Sequence, residues 1–385
     1  MVPERLKVDG RWIAASSRFT FRLYEQALNQ PGRKNVLISP TSVMLALALT
    51  YNGAGGETRR AIAITLGLER MSLEHVNRAA ADLMSALSST DSQLQLNIAN
   101  SLWAREGLPL APDFVERSRE HYAAEVTSLD FSSPTAPATI NSWVSKNTEG
   151  RINEVVDRID SEIVLFVINA IYFKGQWQFP FDKEKTKDDV FRLADGRQKK
   201  LPMMFQSGLY FYQKGKGFQA VVLPYGSGQT SMYIFLPDEN TPLDRFERNV
   251  TPENWETWMR GFSFAPGELT LPRFKIEYTA DLNDVLSSLG MGEAFDPMRA
   301  DFSEMAELPP DANRIFISRI THKALAEVNE EGTVAVAVTA LLAGAALPQS
   351  PQEKFVMKVD RPFFFAIRDD PTDTLLFIGS VLDPA

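Results

Sequence analysis

The chain has 385 residues, 44% hydrophobic and 23% charged, an ordinary globular composition with ample material for a large core. Its 49 acidic against 40 basic residues leave a net charge of -9, which repels nucleic acid and anionic lipid and excludes both as main partners. There is no cysteine, hence no disulfide or thiolate chemistry, and His75, His121 and His322 lie far apart, outside any H-E-x-x-H spacing that would point to zinc.

No Gly/Ser-rich, Pro-rich or like-charge linker interrupts the chain, so residues 1–385 are read as a single domain. The opening MVPERLKVDG lacks the apolar stretch of a signal peptide. The compartment stays open, with an extracellular or extracytoplasmic site favoured if that start is a processed one.

Helical signals come first. In SLEHVNRAAADLMSALSS, the residues Leu73, Val76, Ala80, Leu83 and Leu87 recur at three- and four-residue steps behind a capping Ser72. DFVERSREHY follows Pro112, which suits a first helical turn, and INSWVSKNTEG closes on Gly150 as a C-terminal cap. Strands enter at QLQLNIANSLW, where Leu94, Leu96 and Ile98 alternate with polar residues. IVLFVINAIYF, Ile163 to Phe173, is apolar on both faces and predicts a central strand covered above and below. From Leu201 onward strands dominate: LPMMF, FQAVVLPY, TSMYIFLP, LTLPRFKIEY, NRIFISRI, EKFVMKV, RPFFFAI and TLLFIGSV, with one helix, DLNDVLSSLG, from Asp281 to Gly290. Helices first and strands later predict an α+β fold.

Catalytic patterns are missing. There is no G-x-S-x-G elbow, and Gly226, Ser227 and Gly228 read as a turn. NGAGGET, Asn52 to Thr58, is Gly-rich ahead of a helix but lacks a P-loop lysine and a leading strand, so it reads as a turn with a helix cap. Glu330 and Glu331 are adjacent and in an extended chain point to opposite faces, which rules against an acid/base pair. His322, in the alternating run IFISRITHKALAEV, reads as a buried, hydrogen-bonded structural histidine. The lysines and arginines from Lys183 to Lys200 are interspersed with acids and read as a solvated charged face.

The segment EEGTVAVAVTALLAGAALPQSP, Glu330 to Pro351, is the longest low-polarity run, and its apolar part falls short of the ~20 residues that cross hydrocarbon. Thr333, Ala335, Ala337 and Thr339 are small, while Val334, Val336 and Val338 between them are β-branched, which favours an extended chain with one small face. Gly332 precedes the run without a side chain, and no proline lies between Gly332 and Leu347 to interrupt an extended strand.

NVLISPTSVMLALALTYNGAGGET, VINAIYFKGQWQFPF, VVLPYGSGQTSMYIFLP, LTLPRFKIEYTADLNDVLSSLGM, ITHKALAEVNEEGT and VDRPFFFAIRDDPTDTLLFIGSVLDP, in this order, resemble the serpins over nearly the whole chain. The resemblance implies about three β-sheets, eight or nine helices and an exposed reactive-centre loop at about 330–353. It further implies an inhibitory member of prokaryotic or intracellular type, acting as a suicide substrate with no catalytic residue, metal or cofactor of its own. The implied partner is a serine protease, with cysteine proteases as a further class, bound by a monomer that polymerises under stress. Counting along the family's loop from Glu330 puts the scissile bond at Ala346–Leu347, with Ala345–Ala346 as the alternative because the segment up to Arg361 is longer than usual. Alanine there suits elastase-like or subtilisin-like targets.

Residue by residue, the resemblance implies a hinge of Glu330, Glu331, Gly332, Thr333, Val334, Ala335, Val336 and Ala337. Val334 stands where the family commonly has glutamate, a departure that favours spontaneous insertion or polymerisation. It implies a shutter of Ser39, Ser42, Asn169 and His322 where strands part, and a breach of Trp177, Arg273 and Glu330 with an Arg273–Glu330 ion pair. The alternatives are a noninhibitory carrier, chaperone or storage member and, for Trp177, a plain core role.

Overall fold

The computed structural model describes residues 8–384 apart from 31, 33, 89–90, 161, 308–313 and 333–352. Helices α1 (Gly10–Leu28), α2 (Pro40–Tyr51), α3 (Gly56–Leu66), α4 (Leu73–Leu87), α5 (Pro112–Tyr122) and α6 (Ala136–Asn147) crowd the first part. Three shorter ones, α7 (Leu243–Glu247), α8 (Pro252–Gly261) and α9 (Asn283–Leu286), follow later. The first strands are β1 (Val36–Ile38), β2 (Leu94–Arg105), β3 (Glu125–Leu129), β4 (Leu165–Gly175) and β5 (Lys187–Arg192). Then come β6 (Gln198–Gly215), β7 (Phe218–Tyr225), β8 (Thr230–Pro237), β9 (Ser263–Pro272) and β10 (Phe274–Asp281). The last are β11 (Ile317–Val328), β12 (Phe355–Lys358), β13 (Phe363–Asp369) and β14 (Thr374–Val381).

Local chemistry sets these boundaries. Ser72 accepts the His75 N–H at the start of α4, whose Val76, Ala80, Leu83 and Leu87 are buried, and Pro112 opens α5. Gly55 caps α3, and a Cβ there would stand 2.8 Å from both carboxylate oxygens of Asp301, so the Gly-rich turn is filled by the protein's own acid. Helix α2 is buried all round and forms the centre of the molecule.

One sheet has five strands in the order β10-β11-β4-β2-β3, the other nine, from β1 through β14, β13, β8, β7, β6 and β9 to β12, with β5 also on β6. The long β6 pairs with β5 and β9 over its first part and with β7 over its last, so the larger set divides into two arms joined along β6. With the five-stranded sheet these arms make the three expected sheets. Strand β4 is covered on both faces, as its sequence predicts: Val167 and Ile171 join the main core, while Phe166, Ile168 and Ala170 pack with Ile140 and Val144 of α6.

Two local readings change. LTLPRFKIEY is two strands in different sheets, split at Arg273, because Pro272 pairs with Met203 while Phe274 already pairs with Val328. In DLNDVLSSLG the regular α-helix covers Asn283–Leu286, and the helical path is kinked at Gly290, whose φ is +113°. No helix among the described residues is long and apolar enough to cross a membrane.

Candidate functional site

Strands β4 and β11 hydrogen-bond to each other directly and in parallel, from Ile317 opposite Leu165 to Leu325 opposite Tyr172. In this register His322 faces Asn169, and on the other edge of β4 Asn169 faces Asn100 of β2. Three polar side chains therefore form a row across three strands in the interior. The N-terminus of α2 lies against them, because Pro40 starts the helix and leaves Ser39 as its cap, accepting the Ser42 N–H at 3.3 Å.

Every bond in the row has a defined direction. Asn169 Nδ2 donates to Asn100 Oδ1 at 2.6 Å, to the Ser42 carbonyl at 3.1 Å and to Ser42 Oγ. The Ser39 backbone N–H donates to His322 Nε2 at 3.2 Å, so the proton of the neutral ring sits on Nδ1, which donates to Asn169 Oδ1 at 2.6 Å. Burial lowers the His322 pKa to about 3. A proton on Nε2 would also confront the Ser39 N–H at the positive end of α2. His322 is thus buried and hydrogen-bonded on both ring nitrogens, and Ser39, Ser42, Asn169 and His322 lie together in one cluster.

The second cluster holds the turn Asn329 to Gly332 at the end of β11. Gly332 has φ +80°, and an added Cβ would lie 2.3 Å from the Gly175 carbonyl oxygen and the Trp177 nitrogen, so only glycine fits against the end of β4. Glu330, 2% exposed, accepts from Arg273 Nε at 2.8 Å on each carboxylate oxygen and from Thr186 Oγ1. Burial acts to raise its pKa, but the hydrogen bonds from Arg273 and Thr186 outweigh that and leave it lowered. The Phe181 and Trp177 N–H groups donate to the carbonyls of Glu330 and Glu331 at 2.8 and 3.1 Å. Trp177 is part of the core, its ring stacked on Tyr225 at 4.3 Å, and it also touches the turn, its Nε1 donating to the Asn329 carbonyl at 2.8 Å.

Several participants were not anticipated. Asn100 occupies the next core-phase position after Leu94, Leu96 and Ile98, so a polar residue in an apolar phase was its signal. Lys183, taken for part of a solvated face, pairs with Glu331, and Thr186 reaches Glu330; neither carries a local signal. On the outer face Lys323 of β11 donates to the Glu154 carbonyl at 2.5 Å, tying that strand to the segment after α6. Lys185, Arg197 and Lys199 pair with Asp182, Asp195 and Asp383, as a solvated face would. The hinge positions Thr333, Val334, Ala335, Val336 and Ala337 and the bonds Ala345–Ala346 and Ala346–Leu347 lie outside the described residues. Among the described residues no group of three or more His, Asp or Glu side chains could hold a metal ion.

A family model described as serpin (serine protease inhibitor) matches residues 14–384. Leukocyte elastase inhibitor A of Rattus norvegicus is 35% identical, over 96% of this chain and 99% of its own, and serpin B6 of Pongo abelii is 35% identical over 97% and 100%. Of solved structures, the thermophilic serpin tengpin in its native state matches with a TM-score of 0.88 at 32% identity, over 98% of this chain and 95% of that one. Thyroxine-binding globulin in complex with thyroxine matches with a TM-score of 0.86 at 27% identity, over 97% and 99%.

Proposed function

The chain belongs to the serpin family, and from that premise we propose that it traps serine proteases as a suicide substrate, through the loop that leaves Gly332. The protease's serine attacks the Ala346 carbonyl, the peptide bond to Leu347 breaks, Leu347 departs as a free amine, and Ala346 stays on the enzyme as an ester. Before water hydrolyses the ester, the severed arm enters the five-stranded sheet and carries the protease away, distorting its oxyanion hole.

The observation that carries this reading is the parallel β4–β11 seam, which ends at a glycine turn already directed back along β11. Continuing the antiparallel bridge between Asn329 and Gly332 sets Thr333 opposite Val328, Ala335 opposite Ala326, Ala337 opposite Ala324 and Thr339 opposite His322. The small residues of the loop then share the core face with Val328, Ala326, Ala324 and His322. Entry replaces one parallel pairing by two antiparallel ones, the more stable kind per residue. It also widens the β4–β11 spacing from ~4.8 Å to twice that, which breaks the 2.6 Å bond between His322 and Asn169 and brings the Thr339 hydroxyl into the row.

Alanine at the cut and the similarity to leukocyte elastase inhibitors support elastase-like targets, with subtilisin-like enzymes as the second class. The same seam accepts the loop of a second copy, a route from monomer to polymer under stress. The competing reading is a carrier, which thyroxine-binding globulin represents among the structural neighbours. Incubation with an elastase-type protease and a denaturing gel separate the two. A covalent band near the summed mass is expected, and a nicked chain alone, with no rise in thermal midpoint, refutes the trap.

A further inference from the structure

On the outer face of the β6–β9–β12 arm, Phe211 and Phe264 are 45% and 40% exposed, and Val356 of β12 is 64% exposed. Phe211 and Phe264 are directly paired across β6 and β9, with ring centroids 4.0 Å apart. Leu209 and Pro266 form the next pair, on the same face two residues along. Tyr210 and Tyr212, which point the other way, are used up against Phe355. An aromatic pair left in water on an antiparallel sheet costs solubility and invites association.

The patch stands near the end of the arm from which the chain enters β12. β12 runs parallel to β9, with Phe355 beside Gly267, so residues entering β12 approach from the end of β9 that carries Phe264. Leu347 precedes Phe355 by eight residues, a tether of at most ~29 Å. A globular protease domain of ~230 residues has a diameter of about 45 Å. An enzyme docked on the Ala346–Leu347 bond is therefore held within one tether length of the start of β12, with a body broad enough to reach this end of the arm.

We propose that the Phe211–Phe264 face, flanked by Val356, is an auxiliary docking surface for the target protease, which contacts it with an apolar rim of its substrate cleft. The proposal rests on the inhibitory reading above. The contact acts at encounter only. Entry of the severed arm between β4 and β11 takes the protease away from the arm that β12 belongs to, so the face speeds capture and has no part in the final complex.

The test is the double substitution Phe211→Thr/Phe264→Thr, which keeps β-branched residues in both strands while removing the rings. Its rate of covalent complex formation with an elastase-type protease should fall on the order of tenfold, at unchanged inhibitor-to-protease stoichiometry. Ile64→Thr, an equally exposed apolar residue on α3, should leave the rate unchanged. The Kd for the same protease with its catalytic serine replaced by alanine should weaken by a similar factor, a binding measurement that involves no strand insertion. An unchanged rate and Kd in the double variant, or an equal loss in Ile64→Thr, overturns the docking face. Absence of any covalent complex with the unaltered protein, beside a normal Kd ratio, overturns the trap and leaves the face standing.

Discussion

Acid weakens the closed seam through His322, and His322→Gln removes that dependence. The folded pKa of about 3 lies below the ordinary value of 6.5, so between the two the unfolded chain binds the extra proton. The resulting stability is fully present above pH 6.5 and is lost as the pH falls toward 3. At ~1.4 kcal/mol per pH unit, the loss from pH 7 to pH 5 is about 2 kcal/mol. Glutamine restores one donor toward Asn169 and one acceptor for Ser39 without titrating. The carboxylates common to both proteins cancel in the comparison, and Glu330, with its lowered pKa, titrates below this window. The assay is the midpoint of urea unfolding at pH 7 and pH 5 for each protein. With an m-value of about 3 kcal/mol/M the unaltered protein should lose ~0.7 M more than the variant. Equal losses would mean that His322 is not held neutral by the α2 N-terminus and its burial.

Three further outcomes follow from the hinge. Arg273→Ala leaves Glu330 buried with Thr186 as its remaining side-chain donor, a loss discounted for the partly exposed arginine to about 1–2 kcal/mol; faster appearance of polymers on warming, scored on native gels, is the expected result. Gly332→Ala forces a Cβ into the Gly175 and Trp177 backbone and adds a left-handed strain of about 1–2 kcal/mol, so the thermal midpoint should drop by at least about 2 °C; an unchanged midpoint would contradict the tight packing of the turn. Under the proposed trap, Thr333→Arg puts a cation on the face that would enter beside Val328, and it should turn trapping into plain cleavage, seen as a nicked chain without the covalent band.

Much of this was readable residue by residue. The caps at Ser72 and Pro112, the two-faced burial of β4 and the core direction of His322 all depend on neighbours a few positions away, where periodicity and φ/ψ preference act. The family motifs went further and placed Arg273 against Glu330 before any geometry was available. They did not reveal Asn100, Lys183 or Thr186.

What the chain determined alone is therefore its local conformations and the small, β-branched composition of the segment after Gly332. The tertiary structure decided what that segment would have to displace: a parallel contact between β4 and β11, residues 165–172 against 317–325, closed by a polar row that no single stretch contains. Register and crossover connections bring together groups more than a hundred positions apart, such as Asn169 and His322. Their energies depend on burial and alignment across strands, quantities that exist only once the sheet has formed.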